Sequence, residues 1–357
     1  MVLTYARFFD KICKMFDFID KNCAFLITDR VTRRYFSLTD VAEGFLLLSA
    51  HPVYFTDARY FYAAKQKIKN GIESKLYKNA DTLKEEIKAQ NVTILYLDYD
   101  RTTMTEYAGF KAFGAEIRDG SGILKEKRLI KTEEEIGYIS RACEIIQNAY
   151  HKIITLAKEG MTELELQSLL EKEVAALGAE GMSFDTIVAF GENSAVPHHV
   201  SGETKLKRGM PILIDCGCKV NGYCSDYTRT AFFGEPTEKF VSVYEAVRVA
   251  GEKAEKEVYP DIPLKKADAI ARDYLTEKGY GSLFTHSLGH GVGLEIHESP
   301  SLSPKAEGTL PVGAAFTVEP GAYLDGEFGV RIEDTAIMTK NGAKRLFSDD
   351  KNLIILK

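Results

Sequence analysis

Cysteine is scarce in this chain, and its few cysteines fit no recognised pattern. The six are Cys13, Cys23, Cys143, Cys216, Cys218 and Cys224. Their positions show neither the paired spacing of a zinc site nor the density of a disulfide scaffold. We therefore expect reduced thiols and a cytoplasmic protein rather than a secreted one.

Long apolar runs and basic blocks are also absent. No apolar run approaches the ~18 residues that a membrane-spanning helix needs, so a membrane location is not expected. The first twenty residues carry aromatics at helical spacing, but Asp10, Asp17 and Asp20 interrupt any signal-peptide core, which predicts an amphipathic surface helix. The net charge of −6 comes from interspersed acids and bases, so a nucleic-acid partner is not expected either.

What the sequence does contain favours a folded protein of two domains. At 357 residues the chain exceeds the size at which one hydrophobic core usually stops growing. From about residue 23 to 120, short β-rich runs such as AFLIT and VTILYLDY alternate with helical stretches such as ADTLKEEIKAQN. This alternation predicts a small α/β domain.

A domain boundary is expected in the turn-rich and then basic segment 119–131. Thr132 follows it, and its spacing to Glu135 is that of a capping box that opens a long amphipathic helix. A second helix is expected to open at Thr162. The predicted domains are residues 1–124 and 125–357.

After residue 184 the pattern changes to strand-like runs separated by glycine, asparagine and proline. These runs are TIVAF, MPILIDCGCKV, YCSDYTRTAFF, AAFTVEP and VRIEDTAIM. They predict a mainly antiparallel sheet accompanied by helices. The fold class is therefore α/β in the broad α+β sense.

Four acids occupy strand-like runs that ought to be buried. Asp215 ends ILID, Asp226 interrupts YCSDYT, Glu319 ends AFTVE, and Glu333 lies inside VRIEDTAIM. Any one of them alone is best explained by a salt bridge or a strand-end cap. An unpaired carboxylate in the interior costs several kcal/mol, so four that converge would have to share cations.

Turn chemistry and strand parity suggest how these acids are arranged. The Asn221-Gly222 dipeptide is a strong hairpin signal, which predicts that Asp215 and Asp226 lie on neighbouring strands. Period-two alternation places Thr228 on the face of Asp226 and Arg331 on the face of Glu333. We predict that Thr228 and Arg331 orient these carboxylate neighbours.

Five of the seven histidines fall between residues 198 and 297. His290 lies in HSLGHGVGLEIHE, which lacks full G-x-G-x-x-G spacing and is therefore not a dinucleotide loop. One imidazole among four carboxylates suits two divalent ions better than a tetrahedral zinc site. His286 and His297 are further candidates, while a role for His199 stays open.

The sequence resembles the pita-bread metallopeptidases, specifically aminopeptidase P and prolidase, over essentially its whole length. Five motifs stand in family order: AVPHH, ILIDCGCKVNGYCSDYTRT, HSLGHGVGLEIHE, TVEPG and VRIEDT. The resemblance implies a creatinase-type N-terminal domain and a C-terminal pita-bread domain with a curved, mainly antiparallel sheet covered by helices. It also implies a homodimer.

Carried over by position, the resemblance implies that Asp215 binds one metal ion, that His290 and Glu319 bind the other, and that Asp226 and Glu333 bridge both. A bridging hydroxide would then attack the scissile carbonyl. Ligand type alone does not select among divalent metals. Manganese is the first choice, followed by cobalt or zinc.

The resemblance also implies roles for the remaining site residues. Glu319 would shuttle a proton, His297 and His198 would stabilise the tetrahedral intermediate, and His286 would line a proline pocket. The implied substrates are short proline-containing peptides.

Ser301 departs from the prolidases that have an arginine here to clamp a dipeptide carboxylate. This favours an Xaa-Pro aminopeptidase, with an Xaa-Pro dipeptidase (prolidase) as the alternative. Methionine aminopeptidases lack a preceding domain of this size, and creatinase lacks these ligands. A non-catalytic pita-bread binding protein is disfavoured because the ligand set is intact.

Overall fold

The computed structural model describes residue 20 and residues 22–68 and 71–357. The surface helix predicted for the first twenty residues lies outside this part of the chain. Contacts divide the chain into two compact units, Met1–Arg128 and Leu129–Lys357.

The described part of the first unit is a mixed sheet with helices, which confirms the predicted small α/β domain. Its strands are β1 (Cys23–Ile27), β2 (Phe45–Leu48), β3 (Val53–Thr56), β4 (Glu73–Leu76), β5 (Ile94–Leu97) and β6 (Glu116–Asp119). Its helices are α1 (Arg30–Ser37), α2 (Ala58–Lys67), α3 (Ala80–Ala89), α4 (Met104–Lys111) and α5 (Ser121–Leu129). The strand order is β4-β3-β2-β1-β5-β6, with β1 antiparallel to β2 and parallel to β5.

The segment interpreted as a turn-rich connection is largely helical. Within residues 119–131, α5 occupies nine residues and buries Leu124. The run ILKEKRL consists of good helix formers apart from its isoleucine, and these outweigh the glycine before it. The division predicted after residue 124 falls inside α5 and stays a prediction.

The second unit opens with two helices whose N-terminal caps agree with the sequence prediction. They are α6 (Glu133–Ile154) and α7 (Glu163–Ala176), each with a complete capping box. The Glu135 carboxylate accepts a 2.7 Å hydrogen bond from the Thr132 amide, and Glu165 accepts a 2.8 Å bond from the Thr162 amide. Such reciprocal bonds satisfy amide donors that a helix start leaves unpaired.

Two further helices and thirteen strands complete the second unit. The helices are α8 (Glu238–Glu257) and α9 (Leu264–Glu277). The strands are β7 (Ile187–Phe190), β8 (Met210–Cys216), β9 (Lys219–Val220), β10 (Tyr223–Cys224), β11 (Tyr227–Phe233), β12 (Gly289–Gly291), β13 (Glu298–Leu302), β14 (Ala315–Val318), β15 (Gly321–Leu324), β16 (Phe328–Arg331), β17 (Asp334–Thr339), β18 (Gly342–Arg345) and β19 (Ile355–Leu356).

These strands form two main sheets, mostly antiparallel as predicted. The sheet orders are β19-β11-β8-β7 and β13-β12-β14-β17-β18, and only the β11–β19 pairing is parallel. An isolated bridge between Thr228 and Glu333 joins the sheets. Helices α8 and α9 pack on them over an apolar core that includes Val247, Phe316 and Val330. Among the described residues, none of the helices has the length and apolar content needed to cross a membrane.

Candidate metal centre

The hairpin signal places the first two candidate ligands on neighbouring strands. At the Asn221-Gly222 turn, φ is 47° and 75°, the left-handed backbone that this dipeptide favours. Asp215 lies near the end of β8, opposite Thr228 on the antiparallel strand β11. Asp226 directly precedes β11, so both carboxylates reach the same end of this strand pair.

The other three candidates come from the second sheet and its junction with the first. His290 lies on β12, Glu319 follows β14, and Glu333 bridges to Thr228. The Thr317 hydroxyl accepts a 3.0 Å hydrogen bond from the His290 amide and donates a 3.0 Å bond to the Glu319 carboxylate. This threonine therefore fixes the spacing between the imidazole and one acid.

Glycine is required next to His290 because backbone segments approach closely there. A Cβ atom at Gly289 would overlap the carbonyl oxygen of Thr317 on β14. At Gly291 it would overlap the Ser299 carbonyl oxygen. Small residues around His290 thus allow β12 to fit between its neighbours, as the glycine-rich pattern predicts.

All five candidate ligands line one cavity of about 540 Å³. Ligand atoms of Asp226, His290 and Glu333 lie within 4.8 Å of one another. The Nε2 atom of His290 is 3.2 Å from Glu319 Oε1 and 3.5 Å from Asp226 Oδ2. The structure therefore brings together residues that are separated by up to 118 positions in the sequence.

The acids of this cavity outnumber the positively charged side chains that contact them. Burial, followed by the charges of neighbouring carboxylates, raises the pKa values of Asp226 and Glu333 well above the usual range. Burial would also raise the pKa of Glu319, but the hydrogen bond and charge of His290 outweigh it and lower that pKa to about 2. The same contact raises the pKa of His290 against the effect of burial.

Among the described residues that line the cavity, two buried carboxylate oxygens have no hydrogen-bond partner. They are Asp215 Oδ1 and Glu333 Oε1. Buried polar atoms without partners are costly in folded proteins, so each calls for an explanation. Divalent cations would coordinate these oxygens and offset the repulsion between the acids. The donor set therefore fits divalent metal ions.

Thr228 and Arg331 contact carboxylates other than the ones predicted from strand parity. The Thr228 hydroxyl donates a 2.6 Å hydrogen bond to Glu333 rather than to Asp226. Arg331 Nη2 donates a 2.5 Å bond to Asp215 rather than to Glu333. Residues two apart on one strand share a face, but the residues opposite on adjacent strands lie closer. The partner prediction was therefore wrong.

Four further histidines line the cavity: His198, His199, His286 and His297. Both ring nitrogens of His286 are engaged, with Nδ1 donating to the Ser287 carbonyl and Nε2 accepting from the Tyr323 hydroxyl, each at 2.8 Å. Burial lowers the pKa of His286. It also lowers the pKa of His297, with a further contribution from the charge of His290.

The sequence interpretation missed Thr317, Tyr323 and Glu163. Thr317 precedes Glu319 by two residues, so strand parity was a usable signal. The Tyr323 hydroxyl also accepts a 2.8 Å bond from Arg331, a contact set by the β15–β16 pairing that leaves no local pattern. Glu163 lies in the first turn of α7, where acids are common, yet its carboxylate accepts a 2.8 Å hydrogen bond from His199 Nε2.

Comparison with known proteins shows that the chain is similar to peptidases. Residues 137–340 match metallopeptidase family M24, and residues 21–130 match the creatinase/prolidase N-terminal domain. An Xaa-Pro dipeptidase of Pyrococcus horikoshii is 38% identical over 97% of this chain and 99% of its own.

Two solved structures are similar over nearly the whole chain. An Xaa-Pro dipeptidase from Bacillus anthracis has a TM-score of 0.92 and 36% identity, covering 98% of this chain and 99% of its own. An X-Pro aminopeptidase from Thermotoga maritima has a TM-score of 0.87 and 34% identity, covering 93% and 97%. These likenesses confirm the predicted fold class, a small α/β domain followed by a pita-bread domain.

Proposed function

Because the chain belongs to metallopeptidase family M24, we propose that it is an Xaa-Pro aminopeptidase that removes the residue before proline from short peptides. The observation that carries this proposal is the cavity in which four acids meet His290 with two carboxylate oxygens unpartnered. Such a set is suited to divalent ions and to hydrolysis.

Five residues are proposed to hold two metal ions. Asp226 and Glu333 would bridge both, Asp215 would complete one site, and His290 and Glu319 would complete the other. Two divalent ions bound there would supply Lewis-acid polarisation of the scissile carbonyl and would acidify the attacking water. Manganese is the proposed metal, with cobalt or zinc as alternatives that metal analysis of the purified protein would distinguish.

The remaining chemistry is assigned to side chains that face the cavity. Glu319, whose carboxylate contacts Thr317 and His290, would accept a proton from water and return it to the leaving amine. His297 and His198 would donate hydrogen bonds to the developing oxyanion. Burial lowers the pKa of His297 and so favours its neutral form, and a neutral ring still carries one N–H donor.

His286 is proposed to contact the proline ring. Because both its nitrogens are already hydrogen-bonded, it presents carbon atoms rather than a free donor to the cavity. Such a surface suits an apolar five-membered ring better than a polar side chain. Tyr323 and Arg331 would hold His286 in this orientation through their shared hydrogen bonds.

The preference for an aminopeptidase rests on charge in the cavity. A dipeptidase must recognise the free carboxylate of proline, and arginine is the usual partner for that group. Among the described residues that line the cavity, Arg331 is the only permanent cation, and it already contacts Asp215 and Tyr323. Ser301, which lies in the same lining, offers a hydroxyl instead.

An Xaa-Pro dipeptidase is the second candidate. It is favoured by the similarity of almost the whole chain to the Xaa-Pro dipeptidases from P. horikoshii and B. anthracis. A cation that reaches the cavity from elsewhere in an assembly would serve as the clamp, so the two activities must be separated by substrate length.

The deciding experiment compares two substrates with manganese-loaded protein, before and after chelation. The substrates are the dipeptide Gly-Pro and the tripeptide Gly-Pro-Ala, with Gly-Ala-Ala as a control for the proline requirement. Release of glycine from the tripeptide supports the aminopeptidase, and cleavage of Gly-Pro alone would favour the dipeptidase. Loaded protein that cleaves neither would contradict both and favour a binding role.

A cytoplasmic location and a homodimer are further parts of this proposal. The five described cysteines, which exclude Cys13, are buried free thiols, as expected in a reducing compartment. Cell fractionation tests the location. Sedimentation equilibrium of the purified chain tests the dimer, and a mass of one chain would contradict it.

A further inference from the structure

A fully buried carboxylate lies outside the metal cluster, at the first helical residue of α7. The Glu163 side chain has no solvent exposure. One of its oxygens accepts hydrogen bonds from the Phe190 amide at 2.8 Å and the Asn193 side chain at 2.9 Å. The other accepts from His199 Nε2 at 2.8 Å and from the Gly202 amide at 2.9 Å.

These four donors all belong to one segment of chain. Phe190 ends β7, Asn193 lies in a short 3-10 helix, and His199 and Gly202 lie in the loop that follows. A single carboxylate therefore fastens the segment 190–202 at both ends and between them. We call residues 196–202 the His198 loop, because His198 reaches the cavity from it.

The His198 loop has two other points of attachment. The Pro197 carbonyl accepts a long 3.4 Å hydrogen bond from Arg331, and the Ser201 hydroxyl bonds the backbone on either side of Ile187. Val196 and Val200 on either side of the histidine pair are 53% and 84% exposed. Within the described part of the chain, the His198 imidazole makes no hydrogen bond. Its position over the cavity therefore depends on the backbone of the loop, and Glu163 provides the two shortest charge-assisted bonds to that loop, to His199 and Gly202.

Glu163 does not serve its own helix in the way that a first-turn acid usually does. The neighbouring Glu165 provides the capping-box bond to the Thr162 amide. All four hydrogen bonds to the Glu163 carboxylate run instead to the segment 190–202. A buried carboxylate with four donors is a strong anchor, and removal of its charge leaves buried donors without acceptors.

We propose that Glu163 is a positioning residue that sets His198 over the metal cavity by anchoring the His198 loop through His199 and Gly202. The proposal rests on the function proposed above, in which His198 binds the developing oxyanion. A displacement of about 1 Å at such a donor lowers turnover by up to roughly 100-fold. Glu163 would thus influence catalysis without contacting the substrate.

The first test replaces Glu163 with glutamine and uses Glu165→Gln as the matched control. Both remove one charge from the start of α7, but only Glu163→Gln turns an amide NH₂ towards two donors of the segment. We expect Glu163→Gln to lower kcat about 10- to 100-fold with KM changed less than about threefold. Metal content should stay at the wild-type value, and Glu165→Gln should retain wild-type kcat.

The second test uses His199, whose ring is 16% exposed and tolerates substitution better than a fully buried site. Glutamine places a donor near the position of Nε2, whereas leucine has none. We expect His199→Gln to retain more kcat than His199→Leu. Equal losses in the two variants, or wild-type kcat in Glu163→Gln, would overturn the proposal.

Hydrogen exchange tests the anchor independently of activity. Peptides covering 196–202 should exchange faster in Glu163→Gln than in the wild type or Glu165→Gln, because the loop has lost its acceptor. Unchanged exchange would refute the positioning role even if the wild type cleaved no peptide. Inactive wild-type protein with this exchange difference would instead refute only the proposed function.

Discussion

Two buried groups of charged residues lie back to back in the second unit, and they differ in charge balance. The cavity cluster has four acids, and among the described residues only Arg331 and His290 form ion pairs with them: the acids are Asp215, Asp226, Glu319 and Glu333. The support cluster pairs three acids with three cations: Asp334, Asp349 and Glu255, with Arg229, Arg345 and Lys351.

In the support cluster, protein cations surround the central acid and neutralise its charge. Asp334 lies 2.8 Å from Arg229, 2.8 Å from Arg345 and 2.6 Å from Lys351. Burial would raise the pKa of Asp334, but the charges of these three residues outweigh it and lower that pKa far below the usual range. The acid therefore stays ionised without any bound ion.

Adjacent residues show the contrast most clearly. Glu333 and Asp334 point to opposite faces at the start of β17, and the pKa of Glu333 is raised while that of Asp334 is lowered. Burial is complete at both positions, so it cannot account for the difference. The available cations account for it. A shortage of protein cations is therefore what distinguishes a prospective metal site from a structural ion network.

The largest expected effect comes from Asp226→Asn in the cavity cluster. Loss of a proposed bridging ligand should lower kcat/KM by well over the ~100-fold that is typical when a residue that only orients a metal ligand is changed. The far-ultraviolet circular dichroism spectrum should stay the same. Asp273→Asn, at an exposed position of α9, is the matched control. Wild-type activity in metal-loaded Asp226→Asn protein would contradict the bridging role.

The next largest effect is expected in the support cluster, where Arg229→Gln should lower the free energy of unfolding. Arg229 is buried and contacts both Asp334 and Asp349, so its removal should cost about 3–5 kcal/mol of unfolding free energy. Urea unfolding of the metal-free protein measures this. Arg248, which pairs with two partly exposed glutamates of α8, serves as control, and Arg248→Gln should cost less than about 1 kcal/mol.

A smaller effect is expected at the junction of the two sheets. Thr228→Val removes the hydroxyl that holds Glu333 but keeps the shape of the side chain. Metal affinity, measured by competition with a chelator, should fall about 10- to 100-fold. Thr228→Ser keeps the hydroxyl and should bind metal almost normally, so equal losses in both variants would argue against this hydrogen bond.

The smallest effect is a pH dependence at the edge of the support cluster. Burial, followed by the charge of Asp334, raises the pKa of Glu255 to about 7 despite its contact with Lys351. Because the folded pKa lies above the unfolded one, the contribution of Glu255 to stability falls as pH rises from about 4 to 7.

Glu255→Gln removes this titration. Relative to the wild type, the variant should therefore gain on the order of 1–2 kcal/mol in unfolding free energy between pH 5 and pH 7.5. Parallel unfolding curves at the two pH values measure the difference. A constant difference between variant and wild type would show that Glu255 is ionised throughout this range.

Much of the candidate site could be predicted because its signals are local. The Asn221-Gly222 turn predicted the hairpin that joins Asp215 and Asp226, and the glycines around His290 predicted close backbone approach. Capping boxes predicted the starts of α6 and α7. Each of these signals depends on the conformational preferences of a few consecutive residues, which the sequence displays directly.

The partners of individual side chains could not be predicted in the same way. Strand parity assigned Thr228 to Asp226 and Arg331 to Glu333, whereas the hydrogen bonds run to Glu333 and Asp215. Parity gives the face of a strand but not the residue opposite on the next strand. The anchor between Glu163 and the His198 loop is missed for the same reason.

The sequence by itself determined the two-domain α/β plan, the antiparallel character of the second domain and the set of acids and histidines that required a common explanation. Only the tertiary structure decided which acids lack cations and which are neutralised. Propensity, turn type and periodicity act between near neighbours in the chain, whereas the ionisation of a buried carboxylate depends on charges brought close by packing. Glu333 and Asp334 are adjacent in sequence, yet the fold gives their carboxylates opposite electrostatic environments.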